Sequence, residues 1–581
     1  MRFSPRLLAL LPLSAAFLAA AQLQSSQSYA QRAGAAPDPI GQLPLPPSDF
    51  NNGTLGGPLG TAPTPKPVAK PTPISTRPLV PIVVPVATPL PVATATNTIR
   101  VGLSTQGSAL QIWTPQGATL RDLGQSGRTQ SVSAGSTLSF SSGPSFSQKI
   151  GAQTFRGPIS VQINGNISQG WSQVAVVPLG GAFARASSNG KSPRYGRPYR
   201  GTFEVFAQRL AEPNHRKGSL ALVNVLGLEE YLKGVVPWEM DAVAPLEALK
   251  AQAICARTKT LDFKQTGRFK AGGFDVCDYD ACQGYPGTEN EKAATTQAVE
   301  ATRGLALFQN GRPIDAVYST NSGGITAAAS DVWRGGDVPY LQSVRDFPDT
   351  SPLSTLFRGG MNESKWAQFV SQPFLSFARP DGLRRSNYEA RKYRWSQFIS
   401  VEEASKAFTG QGIAEVTNIE VETRASSGRI RRIKVSGVDA KTLAQMAAQV
   451  ALPAKKASQK NPTSKKGEAL LDIDSEEFTP VDYVSDSVLQ KTIILEGDGA
   501  IRSMFSKQLG STTALPSSLF VVSPKTDASG QVIGWNFLGA GWGHGVGLCQ
   551  RGAQNHAQEG WDARRILSWY YRGVEIRQLS G

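Results

Sequence analysis

The chain has 581 residues and a formal net charge of +16, with 60 lysines and arginines against 44 aspartates and glutamates. That length allows two or more domains, or one large domain with appendages. The three histidines show no zinc-protease spacing and no serine lies in a G-x-S-x-G turn, so metalloprotease and serine-hydrolase chemistry explain this chain poorly.

The first 21 residues have the pattern of a secretory signal peptide. Arg2 and Arg6 supply the basic region, residues 7–20 the apolar run, and residues 19–21 the small side chains for cleavage. An uncleaved N-terminal anchor is the alternative, although the apolar run is short for a spanning helix. We therefore expect an exported protein of the periplasm or cell envelope, with no nucleic acid among its partners.

The next segments are predicted to be a tether and then a β-rich lobe. Residues 22–97 are rich in proline, threonine, alanine and valine, a composition that favours an extended, disordered tether. Residues 98–213 contain short alternating runs broken by glycine, serine and asparagine, such as ALQIW and ISVQI. This pattern indicates antiparallel strands.

Residues 214–304 are predicted to form a helical core. A long helix is expected after Pro245, where leucine and alanine recur at helical spacing, and another at Glu289–Thr302. A short helix is expected earlier, at Leu228–Lys233. Gly234 is expected to end that short helix, and an extended run follows.

The rest of the chain alternates in character. Residues 305–437 are predicted to be an α/β lobe with strands at LALFQ and PIDAVYST, and residues 438–490 a variable charged insertion with a helix at Thr442–Leu452. Residues 491–577 are expected to hold strands, a glycine-rich motif and helices, one of them beginning at Asp562. The predicted fold class for residues 98–577 is α+β, a helical core flanked by β-rich lobes.

Glu239 is the candidate catalytic residue. It lies between Trp238 and Met240. A carboxyl group in apolar surroundings is costly to ionise, so its pKa rises and it can hold a proton near neutral pH, as a general acid must. The alternative is a surface or capping carboxylate without a catalytic role.

Two glycine-rich segments are candidate ligand contacts. Glycines alternate from Gly539 to Gly547, and an extended strand of that pattern would have one bare face and another bearing Trp542 and His544. A bare face lets a packed helix or a sugar ring approach the backbone. Ser322 and Thr326 lie in a second glycine-rich loop, which is either a sugar-binding turn or a plain connection.

Several blocks together resemble the SpoIID/LytB family of bacterial cell-wall proteins. In the family's order they are IRVGL at 99–103, LEEYLKGVVPWEM at 228–240, ALKAQAICARTKT at 248–260, CDYDACQGY at 277–285, YSTNSGGIT at 318–326 with DVW at 331–333, and GHGVGLCQRGA at 543–553. The resemblance covers roughly Ile99 to Ile576, interrupted by residues 438–490.

The resemblance implies a lytic transglycosylase that cuts peptidoglycan glycan strands already stripped of peptides. Glu239 matches the family's catalytic glutamate. It would protonate the glycosidic oxygen and then deprotonate the C6 hydroxyl of the same muramic acid, which closes a 1,6-anhydro ring. One carboxyl group serves both steps, in contrast to glycosidases that use two.

The same resemblance suggests which residues bind the glycan. Arg257 is expected either to orient Glu239 or to meet the lactyl carboxylate of a peptide-free muramic acid. Other groove residues are suggested by their positions in the matching blocks: Tyr318, Ser322, Thr326, Trp542, His544 and Gln550. The peptide-free strand is a polyanion, which the basic chain would attract.

The four cysteines are Cys255, Cys277, Cys282 and Cys549, which permit two disulfides in three connectivities. Some members of the resembling family hold zinc through a histidine and two cysteines around the CQ-Y block. Here Cys277 and Cys282 match, but the stretch before them has no histidine. We therefore predict no metal and no cofactor, with Cys277 and Cys282 joined in a disulfide or packed as thiols.

Two other functions remain open. The LytB branch of the family is described as activating an N-acetylmuramoyl-L-alanine amidase, so the chain is alternatively a non-catalytic wall-binding protein with an amidase partner. A structural envelope protein that has kept the fold without activity is the third option. Glu239 favours the enzyme, because a protein that only binds glycan does not need a proton donor.

Overall fold

The computed structural model describes residues 98–104, 109–114, 116–124, 127–164, 174–178, 197–208, 218–333, 335–347, 351, 353–372, 393–450, 489–506 and 514–579. The predicted signal peptide (1–21), the predicted tether (22–97) and residues 451–488 of the predicted insertion lie outside these. All of the described residues except 447–450, at the end of one helix, belong to one compact unit. Helices and sheets are mixed, so the fold is α+β. None of the described helices is both long and apolar enough to cross a membrane.

The N-terminal region forms two sheets. Their strand orders are β13-β1-β12-β11-β8-β3-β4 and β10-β9-β2-β5-β6-β7. The strands are β1 (Thr98–Leu103), β2 (Ala109–Thr114), β3 (Ala118–Asp122), β4 (Thr129–Val132), β5 (Ser136–Gly143), β6 (Ser147–Ile150), β7 (Gln153–Phe155), β8 (Ile159–Ile163), β9 (Val174–Pro178), β10 (Arg197–Tyr199), β11 (Thr202–Ala207), β12 (Leu220–Gly227) and β13 (Val276–Cys277).

Burial along these strands follows from their positions. Alternate residues of β2 and β11 are buried, which is the period of a strand with one face on the core. Strand β12 is buried on both faces over most of its length, because it is internal in its sheet and precedes the helices. The predicted antiparallel strands ALQIW and ISVQI are both confirmed.

A helical layer follows β12. Helix α1 spans Leu228–Glu239, α2 Leu246–Thr266 and α3 Ala293–Ala301. Helix α2 starts directly after Pro245 and ends at Gly267, whose φ of 64° suits glycine. Its many alanines let α1, α3 and two later helices approach closely, so it is buried nearly all round.

The remaining strands form small sheets. Their orders are β15-β14-β24, β16-β23, β17-β22-β21 and β18-β19-β20. The strands are β14 (Leu305–Gln309), β15 (Arg312–Pro313), β16 (Tyr318–Ser319), β17 (Arg394–Ser400), β18 (Ile413–Arg424), β19 (Ile430–Asp439), β20 (Gln490–Glu496), β21 (Phe520–Thr526), β22 (Val532–Ala540), β23 (Leu548–Cys549) and β24 (Glu575–Gln578).

The helices of this part are mostly short. They are α4 (Ala329–Val332), α5 (Leu353–Leu356), α6 (Glu363–Ser371), α7 (Val401–Phe408), α8 (Ala440–Val450), α9 (Asp498–Arg502), α10 (Gln550–Gln558) and α11 (Ala563–Tyr570). Helix α11 begins after Asp562, whose side chain accepts a hydrogen bond from the Arg565 N–H, as predicted for its start.

Two apolar cores meet near the middle of the chain. One core lies between the N-terminal sheets and α1 and includes Val235 and Val236. The other surrounds α2, α10 and α11 and includes Met240 and Leu548. Glu239 is therefore placed where the chain passes from one core to the other.

Three predictions about local structure are wrong. Helix α1 does not stop at Gly234 but continues through Pro237 to Glu239, so the expected extended run is helical. Strand β22 ends at Ala540, so no strand continues to Gly547. The segment PIDAVYST contributes only Pro313 to β15 and Tyr318–Ser319 as β16, separated by residues without strand pairing.

The glycine pattern after Ala540 has a different cause from the one expected. Gly541, Gly543, Gly545 and Gly547 have φ angles of 84°, 93°, 74° and 72°. Residues other than glycine rarely adopt such backbone angles, so the alternating glycines belong to a tightly winding loop. A period of two in sequence is compatible with both this loop and a strand.

Candidate functional site

Glu239 is the last residue of α1, and its carboxyl group is partly buried. Its Oε1 accepts a hydrogen bond from the backbone N–H of Gly284 at 3.0 Å. Gly284 lies in the CDYDACQGY block, so two of the predicted motifs meet at this contact. The N–H holds the carboxyl group in place without supplying a cation.

Gly284 is a glycine because Trp238 covers it. A Cβ at this position would collide with the indole ring, at Nε1 and Cδ1. Trp238 is nevertheless 45% exposed, so one part of the indole rests on the Gly284 backbone and another faces solvent. The pair therefore brings an exposed aromatic surface beside the carboxyl group.

Burial raises the pKa of Glu239 to about 7. The Gly284 N–H acts against this rise, and the negative charge of Asp280 adds to it. At neutral pH both protonation states are accordingly populated. The group can both donate and accept a proton, as the sequence predicted for a general acid.

Tyr318 is held beside Glu239 by the short parallel pairing of β16 with β23, in which Tyr318 lies opposite Leu548. Its hydroxyl donates to Oε1 of Gln283 at 2.8 Å. The Gln283 amide nitrogen donates in turn to Thr260 Oγ1 at 2.9 Å. Tyr318 is the predicted groove residue that the structure brings directly to Glu239.

The loop that contains Gly541 to Gly547 is hydrogen-bonded to the segment that follows Tyr318. The backbones of Asn321 and Trp542 exchange hydrogen bonds, and the Ala327 N–H donates to the carbonyl of Gly545 at 2.8 Å. Trp542 is 37% exposed. The predicted glycine-rich segments thus support each other, and an exposed indole lies at their junction.

His544 is partly buried in this loop. Its Nδ1 accepts the N–H of Val546 at 3.0 Å, and its ring centroid lies 5.1 Å from that of Trp333. Burial, helped by the charge of Arg429, lowers the pKa of His544 to about 4. The imidazole is therefore neutral near pH 7, and it also bonds the backbone of Tyr318.

Trp333 extends the aromatic surface. It is 41% exposed, and it is the tryptophan of the DVW motif. A series of contacts links Glu239 through Tyr318 and His544 to the exposed Trp333, and the exposed Trp238 is the chain neighbour of Glu239. Exposed aromatic surfaces of this kind mark ligand-binding sites more often than inert surface.

Arg257, predicted to orient Glu239 or to meet a substrate carboxylate, is paired with a different glutamate. Its side chain is 0% exposed and forms a two-pronged pair with Glu229, at 2.9 and 2.6 Å. It also donates to the carbonyl of Leu305. Arg257 therefore ties α2 to α1 and to the start of β14.

Three further predicted groove residues are buried and hydrogen-bonded within the protein. Ser322 donates to Asp346, and Thr326 Oγ1 accepts the Val344 N–H at 2.8 Å. Gln550, at the start of α10, donates to Gln252. Each stabilises the scaffold behind the site.

Cys277 and Cys282 are joined in a disulfide. Its position between β13 and Gln283 fixes the loop that carries Gln283 and Gly284. Cys255 and Cys549 are buried free thiols, and Cys549 accepts hydrogen bonds from the N–H groups of Ser322 and Gly552.

Gln283, Gly284 and Trp333 belong to the site although their sequence motifs do not reveal it. Gln283 and Gly284 lie in the CDYDACQGY block, in which the cysteines are the chemically conspicuous residues, and Trp333 lies in the DVW motif. Their roles depend on contacts between distant segments, such as those of Gly284 with Glu239 and of Trp333 with His544.

Comparisons with known proteins cover the same motifs. The SpoIID family model, described as stage II sporulation protein, matches residues 216–308, which include Glu239, Gln283 and Gly284. A second model, a domain of unknown function, matches residues 327–454 and 486–547, which include Trp542 and His544.

Individual relatives agree with this. The amidase enhancer of Bacillus subtilis (strain 168) is 28% identical over 345 residues, 59% of this chain and 40% of that protein. Stage II sporulation protein D of the same organism is 34% identical over 159 residues, 25% of this chain and 46% of that protein. An uncharacterized protein of Brachyspira hyodysenteriae is 27% identical and is covered over 68% of its length.

The match thus spans less than half the length of either named relative. The segment that the SpoIID model matches contains the glutamate, the CQ-Y block and the helical layer. These matches confirm the family resemblance seen in the motifs, and the chain is similar to SpoIID proteins over residues 216–308.

Proposed function

We propose that this chain is an exported lytic transglycosylase that cuts peptide-free peptidoglycan glycan strands and leaves 1,6-anhydro-N-acetylmuramic acid ends. The observation that carries the proposal is Glu239, whose pKa is about 7 and whose chain neighbour Trp238 is an exposed tryptophan. The family relationship supports a role in the cell wall.

The proposed reaction begins with Glu239 in its acid form. Its proton passes to the glycosidic oxygen as the bond from that oxygen to the muramic acid C1 breaks. The C6 hydroxyl of the same sugar then bonds to C1, and its proton passes to Glu239. The acid is thereby restored, and no water molecule is consumed.

A single carboxyl group is sufficient for this cycle. Two-carboxylate glycosidases need a second group as nucleophile or to activate water. The neighbouring Asp241 is exposed, and its Oδ1 accepts the Val243 N–H at 3.1 Å, so it caps a turn. Asp280 is exposed and acts on Glu239 through its charge.

Three exposed tryptophans in or next to the matching sequence blocks suit a sugar chain. The indoles of Trp238, Trp333 and Trp542 are between 37% and 45% exposed, and flat aromatic faces are suited to the apolar faces of pyranose rings. The net charge of +16 favours a polyanionic strand, in which every peptide-free muramic acid carries a lactyl carboxylate.

The test is mass spectrometry of the products after the purified full chain is incubated with amidase-treated glycan strands. We expect fragments ending in 1,6-anhydro-muramic acid with the parent and with Asp241→Asn, and none with Glu239→Gln. Reducing-end fragments would instead identify a hydrolase. Normal cleavage by Glu239→Gln would refute the assigned acid.

A second candidate function is the activation of an N-acetylmuramoyl-L-alanine amidase. It is favoured by the match to a protein named amidase enhancer over 59% of this chain. In that case the same incubation should yield no fragments while the chain still binds the strands. Added amidase should then release stem peptides faster, and Glu239→Gln should not affect that rate.

A further inference from the structure

A directed chain of hydrogen bonds starts at a backbone carbonyl of α2 and ends at Glu239. The hydroxyl of Thr260 donates to the carbonyl of Ala256 at 2.7 Å. A carbonyl oxygen only accepts, so the single hydroxyl proton of Thr260 is committed to this bond. Thr260 Oγ1 can therefore meet its other neighbours only as an acceptor.

The next group in the chain is the Gln283 amide, which is buried. Its Nε2 lies 2.9 Å from Thr260 Oγ1 and 3.4 Å from the Ala256 carbonyl. Both of these atoms accept hydrogen bonds, so the NH₂ group has to face them. The amide oxygen consequently faces Tyr318, and the Tyr318 hydroxyl donates to it at 2.8 Å.

Tyr318 then has no proton left for Glu239. A phenol carries one proton, and that of Tyr318 points at Gln283. The hydroxyl also lies within hydrogen-bonding reach of the Glu239 carboxyl group, to which it presents a lone pair. The other carboxyl contact, with the Gly284 N–H, occupies Oε1 as an acceptor.

We propose that Gln283 is a positioning residue that keeps the proton on Glu239, because it fixes the direction of the bonds running from Ala256 through Thr260 and Tyr318. In this arrangement the hydroxyl protons of Thr260 and Tyr318 and the amide of Gln283 all have partners when Glu239 is the acid. Ionised Glu239 would need Tyr318 to turn its O–H toward the carboxylate, which leaves the buried Gln283 oxygen without that donor.

The inference rests on the proposed function for its purpose, since the first proposed step needs the acid form. The titratable groups that act on Glu239 are Asp280, Tyr318 and Tyr231. Burial raises the pKa of both tyrosines, so near neutral pH neither is charged. Asp280 opposes ionisation of Glu239 through its charge alone and takes no part in the bonded chain.

The decisive variant is Gln283→Leu, which keeps the side chain's approximate size and removes the acceptor. The Tyr318 proton is then free to bond the Glu239 carboxylate, so the pKa of Glu239 should fall by about one unit. The readout is an infrared pH titration of the protonated-carboxyl band in the full chain, assigned by its loss in Glu239→Gln.

A double variant separates this effect from simple hydration of a looser core. In a Tyr318→Phe background no hydroxyl proton is available, so adding Gln283→Leu should leave the pKa of Glu239 unchanged. A fall that persists without the hydroxyl would overturn the proposal. A rise in the single variant would overturn it too, because it would mean that the amide is oriented the opposite way.

Two further variants guard against misfolding. Thr260→Val removes the acceptor that orients the amide and should lower the pKa of Glu239 by less than Gln283→Leu does, whereas Thr260→Ser should not. Gln252→Leu changes another buried glutamine and should have no effect on this pKa. Equal effects of Thr260→Val and Thr260→Ser would count against the proposal.

The titration needs no cleavage, so the two proposals can fail separately. Suppose that the parent cuts no glycan, but that the protonated-carboxyl band disappears at lower pH in Gln283→Leu than in the parent. The positioning role of Gln283 would then stand and the proposed transglycosylase activity would be refuted. A chain that produces anhydro ends but shows no change in this titration would retain the enzyme and lose the role of Gln283.

Discussion

Glu239 and Asp346 are both shielded from solvent, but they differ in the number of donors around them. Glu239 accepts one backbone N–H, and burial raises its pKa to about 7. Burial also opposes the ionisation of Asp346, yet the pKa of Asp346 is lowered, because His556, Tyr570 and Ser322 surround its carboxylate. Its Oδ1 lies 3.3 Å from a ring nitrogen of His556.

The comparison shows what decides the state of a carboxyl group in this protein. Depth of burial alone favours the neutral form in both places. The carboxylate survives where several donors and an imidazole converge on it. A neutral acid persists where the neighbouring hydroxyl proton is directed elsewhere. The first arrangement stabilises the scaffold, and the second suits chemistry.

Removing a cation from a buried pair should give the largest effect on stability. In Arg257→Met the carboxylate of Glu229, in the first turn of α1, keeps the Gly304 N–H but loses its charge partner. We expect a loss of about 3 to 5 kcal/mol in the free energy of unfolding, measured by urea denaturation. Adding Glu229→Gln should recover part of it.

The matched control for that variant is Arg303→Met. Arg303 pairs with Glu300 one turn away, and both side chains are about one-third exposed or more. Its loss should cost no more than about 0.5 kcal/mol. Equal losses for Arg257→Met and Arg303→Met would contradict the conclusion that a carboxylate depends on its partners most where it is buried.

Neutralising Asp346 should give the next largest loss. Asp346→Asn turns one acceptor into a donor that faces the hydroxyls of Ser322 and Tyr570, so we expect a cost of about 2 to 3 kcal/mol at pH 7. The folded pKa is lowered, so the stability due to ionised Asp346 is present above its unfolded pKa and lost as the pH falls through the folded value.

Denaturation at pH 7 and pH 3 tests this, with the exposed Asp337→Asn as control. The difference between Asp346→Asn and the parent should shrink in acid. An undiminished difference at pH 3 would show that the charge of Asp346 is not what stabilises the fold.

Glu239→Gln should act in the opposite direction. The folded pKa of about 7 lies above the unfolded value, so stability from this group is present below the unfolded pKa and lost as the pH rises through 7. Glutamine has no proton to lose. The variant should therefore be more stable than the parent at pH 8, by roughly 2 kcal/mol, and close to it at pH 4.

Urea midpoints at both pH values measure that difference. Asp241→Asn, on the exposed neighbour, should show no such pH dependence. If the parent is the more stable protein at pH 8, the raised pKa of Glu239 is refuted.

The smallest effect is expected from Asp280. If Glu239 acts as the acid, kcat/KM on peptide-free strands should fall about tenfold per pH unit above pH 7. The charge of Asp280 raises the pKa of Glu239, so Asp280→Asn should move this alkaline limb to lower pH by a few tenths of a unit. A shift to higher pH would contradict the assignment.

Local patterns were sufficient for part of this fold. Pro245 and Asp562 marked helix starts, and alternating runs marked strands such as β2 and β8. The glutamate itself was predicted from its apolar neighbours and the family motifs, and its raised pKa agrees with the expected environment.

The rest depended on contacts between distant segments. Gly234 and Pro237 should interrupt a helix, but α1 continues because Tyr285 and the carbonyl of Gly287 pack where a Gly234 side chain would be. Arg257 was chosen for its charge, and only the packing of α1 on α2 reveals that Glu229 takes it. The amide direction of Gln283 likewise depends on α2.

The short parallel ladder between β16 and β23 has a consequence for how the protein is made. It joins Tyr318, near the middle of the described region, to Leu548, near its C-terminal end, and such distant pairings form late. Until the segment around residue 549 has been synthesised, Tyr318 has no strand to hold it and Glu239 lacks its full set of neighbours. The environment of the Glu239 carboxyl group is therefore completed only after the C-terminal segment has been synthesised and has folded.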